Sequence, residues 1–154
     1  MILQKQCYPP ENLVIERNAY CEMEQAVRDA YPDEACGVLL GNSRTGTVNQ
    51  ISGMKNRAGK DASGRYYRID PLEIYRLECQ IESEGYEVIG FYHSHADAEA
   101  ILSDEDEENM IPGMLYTIFP VFDGKPGQAR AYGKTGPGRI TKRISIKLEE
   151  TAQR

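Results

Sequence analysis

The sequence predicts a single α/β domain in which a mixed β-sheet is flanked by helices. The chain has 154 residues, the usual size of one domain, and its 40% hydrophobic and 27% charged residues are typical of a globular protein. Segments rich in β-branched and aromatic residues alternate with two amphipathic stretches and one short capped helix. That order of elements favours an α/β sandwich, with one domain over residues 1–154.

The first third of the chain predicts one helix and two strands. A helix is expected over residues 18–31, with Asn18 as its N-cap and Pro32 after its end. Apolar residues recur along it at helical spacing. Two strands follow at Cys36–Gly41 and Thr47–Met54, because both segments are largely apolar and polar turn residues separate them.

A loop and a second helix come next. Lys55–Arg68 is rich in basic residues and contains glycines, so we expect a solvated loop or a flap that contacts substrate. Asp70 and Pro71 then open a helix as its N-cap and first-turn proline. Gly85 is expected to end this helix in a left-handed conformation.

The second half of the chain predicts four strands around one short helix. The predicted strands are Tyr86–Tyr92, Met114–Phe122, Gln128–Tyr132 and Arg139–Leu148. A loop over residues 96–102 leads into a helix from Ser103 to about Asn109. Pro120 interrupts a predicted strand, which indicates an edge position or a bulge.

Charge and composition exclude several classes of protein. The net charge of −6 argues against general binding to nucleic acid or to an anionic membrane. No apolar run approaches the ~18–20 residues of a membrane span, and the N-terminus lacks the order of a signal peptide. The four cysteines are spread widely, so we expect reduced thiols in a cytoplasmic protein, with two disulfides as the alternative. The oligomeric state is left open.

The two histidines of the chain predict a metal site. His93 and His95 follow an apolar strand, where side chains two residues apart share one face and can bind one ion. On the next helix Ser103 and Asp106 are three residues apart and face one side. Two imidazoles and one carboxylate leave a fourth position for water, which is the arrangement of a catalytic zinc site.

Glu34 is the predicted general base. It lies between the first helix and a buried strand, where a carboxylate needs an explanation. Ser103 would then donate a hydrogen bond to the oxyanion of a tetrahedral intermediate. Each residue also has a simpler interpretation: Glu34 and Asp106 as solvated acids, Ser103 as a helix N-cap, and the histidines as packed or exposed side chains.

These five residues together resemble the JAMM (MPN+) zinc isopeptidase motif. Its members in this chain are Glu34, His93, His95, Ser103 and Asp106. The segments Pro32–Gly41, Gly90–His95 and Pro112–Gly113 resemble the small bacterial and archaeal branch of that family. The resemblance covers roughly residues 13–148, which we take as the core of a single JAMM/MPN domain.

The resemblance implies a cytidine-deaminase-like α/β core that holds one zinc ion through His93, His95 and Asp106. It also implies that Glu34 acts as general base and protonates the leaving amine, with Ser103 stabilising the oxyanion. Family members cut amide or isopeptide bonds after the C-terminal Gly-Gly of ubiquitin-like proteins. Similar bacterial proteins often process β-grasp sulfur carriers. The chain has no room for long insertions, so we expect a small prokaryotic carrier as the substrate.

One departure from the family and two alternative functions are visible. Ala96 stands where the family usually has proline, which bears on the rigidity of the following loop but on no ligand. A catalytically silent scaffold of the same fold, serving protein–protein interaction, is expected to lack a ligand or the base. A zinc deaminase is expected to carry Cys-x₂-Cys and His-x-Glu, which this chain lacks.

Local basic segments bear on the expected partner. A chain of charge −6 would repel an acidic carrier overall. Lys55–Arg68 and Arg139–Lys147 could nevertheless form complementary basic patches. A mixed-charge surface without any partner is the alternative interpretation.

Overall fold

The computed structural model describes residues 9–58, 67–135 and 141–153, which form a curved mixed sheet with three α-helices. The helices are α1 (Arg17–Ala30), α2 (Pro71–Ile81) and α3 (Asp104–Asn109). The strands are β1 (Asn12–Glu16), β2 (Cys36–Asn42), β3 (Thr47–Met54), β4 (Glu87–Ala96), β5 (Leu115–Phe122), β6 (Lys125–Pro126), β7 (Arg130–Lys134) and β8 (Thr141–Glu149). This architecture confirms the predicted α/β class.

The sheet closes on itself. Its strands pair in the order β4-β2-β3-β1-β8-β7-β5-β6, and a further pairing joins β4 to β5. β1 runs parallel to β3 and β8, and β4 runs parallel to β5, whereas the other pairs are antiparallel. The closed ring therefore has an inner and an outer face.

Helix α1 fills the inner face. Its buried residues Ala19, Met23 and Val27 belong to one core cluster with side chains from each of the seven strands of the ring. The strand residues of this cluster are Leu13, Ile15, Leu39, Val48, Ile89, Tyr92, Leu115, Phe119, Val121, Ala131 and Ile144. Burial of this apolar surface is the main source of stability, at roughly 25 cal/mol per Å² removed from water.

A second, smaller core lies on the outer face. There Ile81 of α2 packs with strand residues that alternate with those of the inner cluster. The buried members of this outer cluster are Val38, Leu40, Ile81, Val88, Phe91, Met110 and Tyr116. The sheet thus has a helix on each side, as expected for an α/β sandwich.

A β-bulge in β4 decides which face its residues occupy. Leu39 pairs with Gly90 and the next residue of β2, Leu40, pairs with Val88, so Ile89 is the extra residue on β4. Val88 and Phe91 consequently lie in the outer cluster, whereas Ile89 lies in the inner one. After the bulge, odd-numbered residues of β4 face outward.

The predicted first helix is confirmed, but its predicted cap is wrong. The helix begins at Arg17 directly after β1, and its N-cap residue Glu16 makes no side-chain capping bond. The backbone N–H of Asn18 donates instead to Oγ1 of Thr151, near the end of the chain, at 3.0 Å. β1 was not among the predicted strands, because its pairing with β3 and β8 involves only distant segments.

Other local predictions hold. Asp70 caps α2 by accepting a hydrogen bond from the backbone N–H of Leu72, and Gly85 adopts a left-handed φ of 79° after a 3₁₀ turn at Glu82–Glu84. β5 runs without a break through Pro120, but its pairing with β7 ends at Ile118, so Pro120 has an edge position on that side, which is one of the two expected alternatives.

Some predictions fall outside the described residues. The central part of the predicted loop, residues 59–66, is among them, as are Cys7 and Arg139. Cys21, Cys36 and Cys79 are free thiols. Within the described ranges, the helices are too short or too polar to cross a bilayer.

Gly37 allows the ring of Tyr92 to lie against the sheet. It pairs with Tyr92 on β4 and with Gly53 on β3. A Cβ atom on Gly37 would overlap the Tyr92 ring and approach the carbonyl oxygen of Ser52 to 2.6 Å. Packing therefore requires glycine at position 37. Its partner Tyr92 is the residue just before His93 on β4.

We predict that Gly37→Ala lowers the free energy of unfolding by about 1–3 kcal/mol, because the added methyl group overpacks the core. Gly53→Ala is the matched control, since a Cβ there meets only the Tyr92 hydroxyl at 3.7 Å. Chemical denaturation of the two variants measures the difference. Equal stability of the two variants would show that the ring does not press on Gly37.

Candidate metal centre

The strand β4 carries both histidines on the outer face. His93 is 1% exposed, and His95 lies two residues further on, where the strand reaches the surface. Their Nε2 atoms are 3.2 Å apart. The parallel neighbour β5 and the antiparallel neighbour β2 both pair with β4 at His93, so the backbone under the pair is held on two sides.

Helix α3 brings Asp106 to the two imidazoles. Its carboxylate oxygens lie 3.4 Å from Nε2 of His93 and 3.2 Å from Nε2 of His95. One ligand atom from each of the three residues lies within 4.8 Å of the others. The three predicted ligands therefore converge.

A capping box sets the position of Asp106. Oγ of Ser103 accepts a hydrogen bond from the backbone N–H of Asp106, and the Asp106 carboxylate accepts one from the backbone N–H of Ser103, both at 3.0 Å. Ser103 is thus an N-cap, as its spacing suggested. Because its Oγ only accepts in this box, its proton stays available for another acceptor.

A backbone carbonyl orients the His95 ring. Nδ1 of His95 lies 2.8 Å from the carbonyl oxygen of Glu99. Because a carbonyl only accepts, Nδ1 is the donor, and the neutral ring carries its lone pair on Nε2. Metal-ligating histidines commonly donate their second nitrogen in this way. In the described part of the chain, the buried Nδ1 of His93 has no hydrogen-bond partner.

The electrostatics of the cluster favour an ionised Asp106. Burial lowers the pKa of His93, and the Asp106 carboxylate offsets this only in part. For His95, burial is outweighed by hydrogen bonds to Asp106 and to the Glu99 carbonyl and by nearby negative charge, so its pKa is raised. Burial opposes the charge of Asp106 too, but the two imidazoles hold the pKa of this carboxyl well below its usual range.

This donor set fits a divalent cation. Two imidazole nitrogens that face each other at 3.2 Å either share a hydrogen bond, from the N–H of one ring to the lone pair of the other, or bind one metal ion through both lone pairs. Two neutral nitrogens and one carboxylate oxygen suit zinc and leave a coordination position open. Asp106 supplies the single negative charge of the set.

Glu34 is buried beside this cluster, with 5% of its surface exposed. Cys36 pairs with His93, and Ala35 exchanges hydrogen bonds with Ser94 at 2.9 and 3.1 Å. Continuation of this register sets Glu34 opposite His95 on the outer face. The negative charge of Glu34 is among the causes that raise the pKa of His95.

Neighbours of Glu34 hold its backbone. The side-chain amide of Asn56 donates to the carbonyl oxygen of Glu34 at 3.1 Å, and its Oδ1 accepts from the backbone N–H groups of Ala58 and Arg68.

Burial raises the pKa of the Cys36 thiol to about 12, and the Glu34 carboxylate adds to this shift. Cys36 is therefore an unreactive thiol rather than a ligand or nucleophile.

Tyr67 covers the His93 ring. The two ring centroids are 4.2 Å apart and the rings are nearly parallel, with an interplanar angle of 22°. Burial raises the pKa of Tyr67, with smaller contributions from Tyr116, Asp106, Cys36 and Glu34. The phenol is therefore neutral and restricts solvent access to the cluster from this side.

Lys134 anchors α3 from the sheet. Its buried ammonium group donates to the carbonyl oxygens of Glu107 and Met110, at 3.1 and 3.3 Å, at the end of the helix. Positive charge at a helix C-terminus is stabilising. Lys134 and Tyr67 are far from the histidines in sequence, so no local spacing indicates their roles. The Glu99 carbonyl is only four residues from His95, but a backbone carbonyl leaves no signal in the residue types.

The fold and this cluster agree with a known family. A model described as "Prokaryotic homologs of the JAB domain" matches residues 17–132, and the chain belongs to this family. A JAB1/MPN domain protein from Archaeoglobus fulgidus shares the fold, with a TM-score of 0.59 and 17% identity over 91% of this chain and 100% of that chain. A solution structure from Desulfitobacterium hafniense has a TM-score of 0.75 at 25% identity, covering 90% and 93%.

Curated relatives include named hydrolases. A desampylase of Haloferax volcanii is 38% identical over 88 residues, which are 56% of this chain and 62% of that protein. The chain thus matches less than two thirds of the length of this relative. A CysO-cysteine peptidase of Mycobacterium tuberculosis is 29% identical over 121 residues, or 78% of this chain and 81% of that protein.

We predict that Lys134→Met lowers the free energy of unfolding by about 1–3 kcal/mol, because it leaves two buried carbonyl groups without their charged donor. Backbone amides of α3 should then exchange hydrogen faster than in the parent. Denaturation and hydrogen exchange measure both effects.

The control for this change is Lys142→Met, at an exposed lysine that pairs with the residue before Lys134. It should stay within about 0.5 kcal/mol of the parent. Unchanged exchange in α3 of the Lys134 variant would contradict the anchoring role.

Proposed function

We propose that this protein is a zinc-dependent metallopeptidase that hydrolyses the amide bond after the C-terminal Gly-Gly of a ubiquitin-like or β-grasp sulfur-carrier protein. The observation that carries the proposal is the convergence of His93, His95 and Asp106 beside the buried Glu34. In this proposal these three residues hold one zinc ion. A zinc ion bound there would supply Lewis acidity to a water molecule and to the scissile carbonyl.

Glu34 is proposed as the general base. It faces the same side of the sheet as His95, and it is not one of the three converging ligands. Its carboxylate accepts a proton from the attacking water and then transfers it to the nitrogen of the leaving group. The bond that breaks is the amide C–N bond, and the products are a free carboxylate and a free amine.

Ser103 is proposed to stabilise the oxyanion. Its hydroxyl is anchored as an acceptor within the capping box, which leaves its proton for the negatively charged oxygen of the tetrahedral intermediate. The same box holds Asp106, so oxyanion donor and metal ligand keep a fixed relation. His95 keeps a lone pair on Nε2 because the Glu99 carbonyl accepts from Nδ1.

The names of the relatives and the restricted site support the proposed substrate. One relative is named a desampylase and another a CysO-cysteine peptidase. Tyr67 covers part of the cluster, and glycines suit such a restricted site because they carry no side chain to collide with its walls. Action in the cytoplasm, expected from the cysteine usage, is part of the same proposal.

Replacement of Glu34 tests its proposed role as the general base. Glu34→Gln should keep about one zinc per chain and lower kcat by about 10²–10⁴-fold, because the amide cannot accept the proton. Asp33→Asn is the matched control, since it removes an exposed charge from the adjacent residue. Mass spectrometry of β-grasp carriers with short C-terminal extensions measures the cleavage. Near-parental rates for Glu34→Gln would refute the assignment.

Replacement of Asp106 tests the proposed metal ligands. Asp106→Asn keeps an oxygen that can cap Ser103 but removes the anionic ligand, so bound zinc should fall well below one per chain. Asp104→Asn, an exposed acid two residues away on α3, should keep its zinc. Metal analysis after gel filtration makes the comparison.

Metal removal tests the mechanism as a whole. A strong chelator should abolish cleavage of the carrier, and added zinc should restore it. Cleavage that persists in chelator would exclude the metal mechanism, whereas stable folding without retained zinc or cleavage would favour a catalytically silent scaffold.

A further inference from the structure

A cavity of about 700 Å³ opens on the outer face of the sheet, beside the metal centre. β5, β7 and β8 form its floor, and Glu99 and Ala100 form one wall. The same Glu99 provides the carbonyl oxygen that orients His95. The cavity and the candidate metal centre therefore share a wall.

The strand register relates the cavity to the candidate metal centre across the sheet. His95 pairs with Pro120 on β5, and Ile118 on β5 pairs with Arg130 on β7. Tyr132, two residues after Arg130, pairs with Arg143 on β8. Side chains in register or two residues apart lie on one face, so both arginines face the same side as the histidines. At about 4.8 Å per strand, β7 and β8 lie about 10 and 15 Å from β4.

The cavity has a local positive charge. Arg130 and Arg143 line it, and in the described part of the chain neither guanidinium group forms an ion pair or a hydrogen bond. Glu99 also lines it, so two positive charges and one negative charge leave a net charge of one. The whole chain has a net charge of −6, so this cavity is a positively charged region on an acidic protein, beside the proposed site of cleavage.

We propose that this cavity binds an acidic side chain on an extended segment of the protein substrate, about three to five residues from the scissile bond. The inference rests on the proposed function for the position of that bond. Extended chain advances about 3.3 Å per residue, so 10–15 Å along the sheet corresponds to that separation. Each arginine can donate two hydrogen bonds to a carboxylate.

The lining favours a peptide over a polyanion. Glu99 lowers the positive charge to one, which suits a single carboxylate better than nucleic acid. Phe122 lines the cavity and is 46% exposed, so it offers an apolar contact to peptide residues next to the acid. The occupant is therefore a peptide with one acidic side chain.

The binding experiment uses the full chain with the Glu34→Gln change, supplied with zinc, and fluorescein-labelled decapeptides that contain Gly-Gly at their centre. Apart from the dye, which both members of a pair share, each peptide has blocked ends and no charge except one Asp. This Asp lies at the second to fifth position on either side of the scissile bond, and the paired peptide has Asn in its place. Fluorescence anisotropy should show about fivefold to tenfold tighter binding of Asp than of Asn at one or two positions.

Two double variants assign the effect to the cavity. In Arg130→Gln/Arg143→Gln the ratio of Asp to Asn affinity should fall to about one. Arg44→Gln/Lys142→Gln removes the same charge at exposed positions outside the cavity and should keep the ratio. Circular dichroism of both variants checks the fold, and a single Arg143→Gln change replaces the double variant if that one is unfolded.

A kinetic measurement with the parent chain separates this inference from the proposed function. Cleavage without any Asp preference in rate or binding overturns the cavity assignment and leaves the function standing. An Asp preference in binding without cleavage of any carrier overturns the function and leaves the acidic site. Inorganic phosphate that binds the cavity while Asp and Asn peptides bind equally would show a small-anion site and would also overturn the assignment.

Discussion

The β-bulge at Ile89 is the constraint on which the site depends. A strand alternates its side chains strictly, and a shift by one residue moves every later side chain to the other face. If Ile89 took a regular place in the ladder and β4 alternated strictly from Val88, His93 and His95 would face the inner core around α1. With the bulge, they face outward, towards α3 and the segment that contains Glu34. One unpaired residue thus determines where the imidazoles lie.

Asp106 links the local structure of α3 to the cluster. Its carboxylate caps a helix of only six residues and also faces both imidazoles. Such a short helix is unstable alone, because nucleation fixes several residues for few hydrogen bonds. The capping box holds its beginning and the ammonium group of Lys134 holds its end. The sheet and the helix together therefore fix the third candidate ligand.

The buried charges form one balanced group. Burial alone would favour neutral forms of Asp106 and of the imidazoles, but their mutual hydrogen bonds keep the carboxylate ionised. A cation in the middle of the group satisfies the same electrostatic demand. Tyr67 and the neutral Cys36 thiol lie around it without adding charge. This arrangement explains why ionisable residues are tolerated so close to the outer core.

Local sequence determined the histidine pair, the capping box and the end of α2, since each depends on residues at most a few positions apart. The position of Glu34 next to a buried strand indicated the candidate base, and the resemblance carried by five residues extended the prediction to the family. Tertiary structure alone decided the closure of the sheet through β1, the capping of Asn18 by Thr151, and the positions of Tyr67 and Lys134. These features join segments tens of residues apart, and their geometry follows from packing and register, which no local spacing encodes.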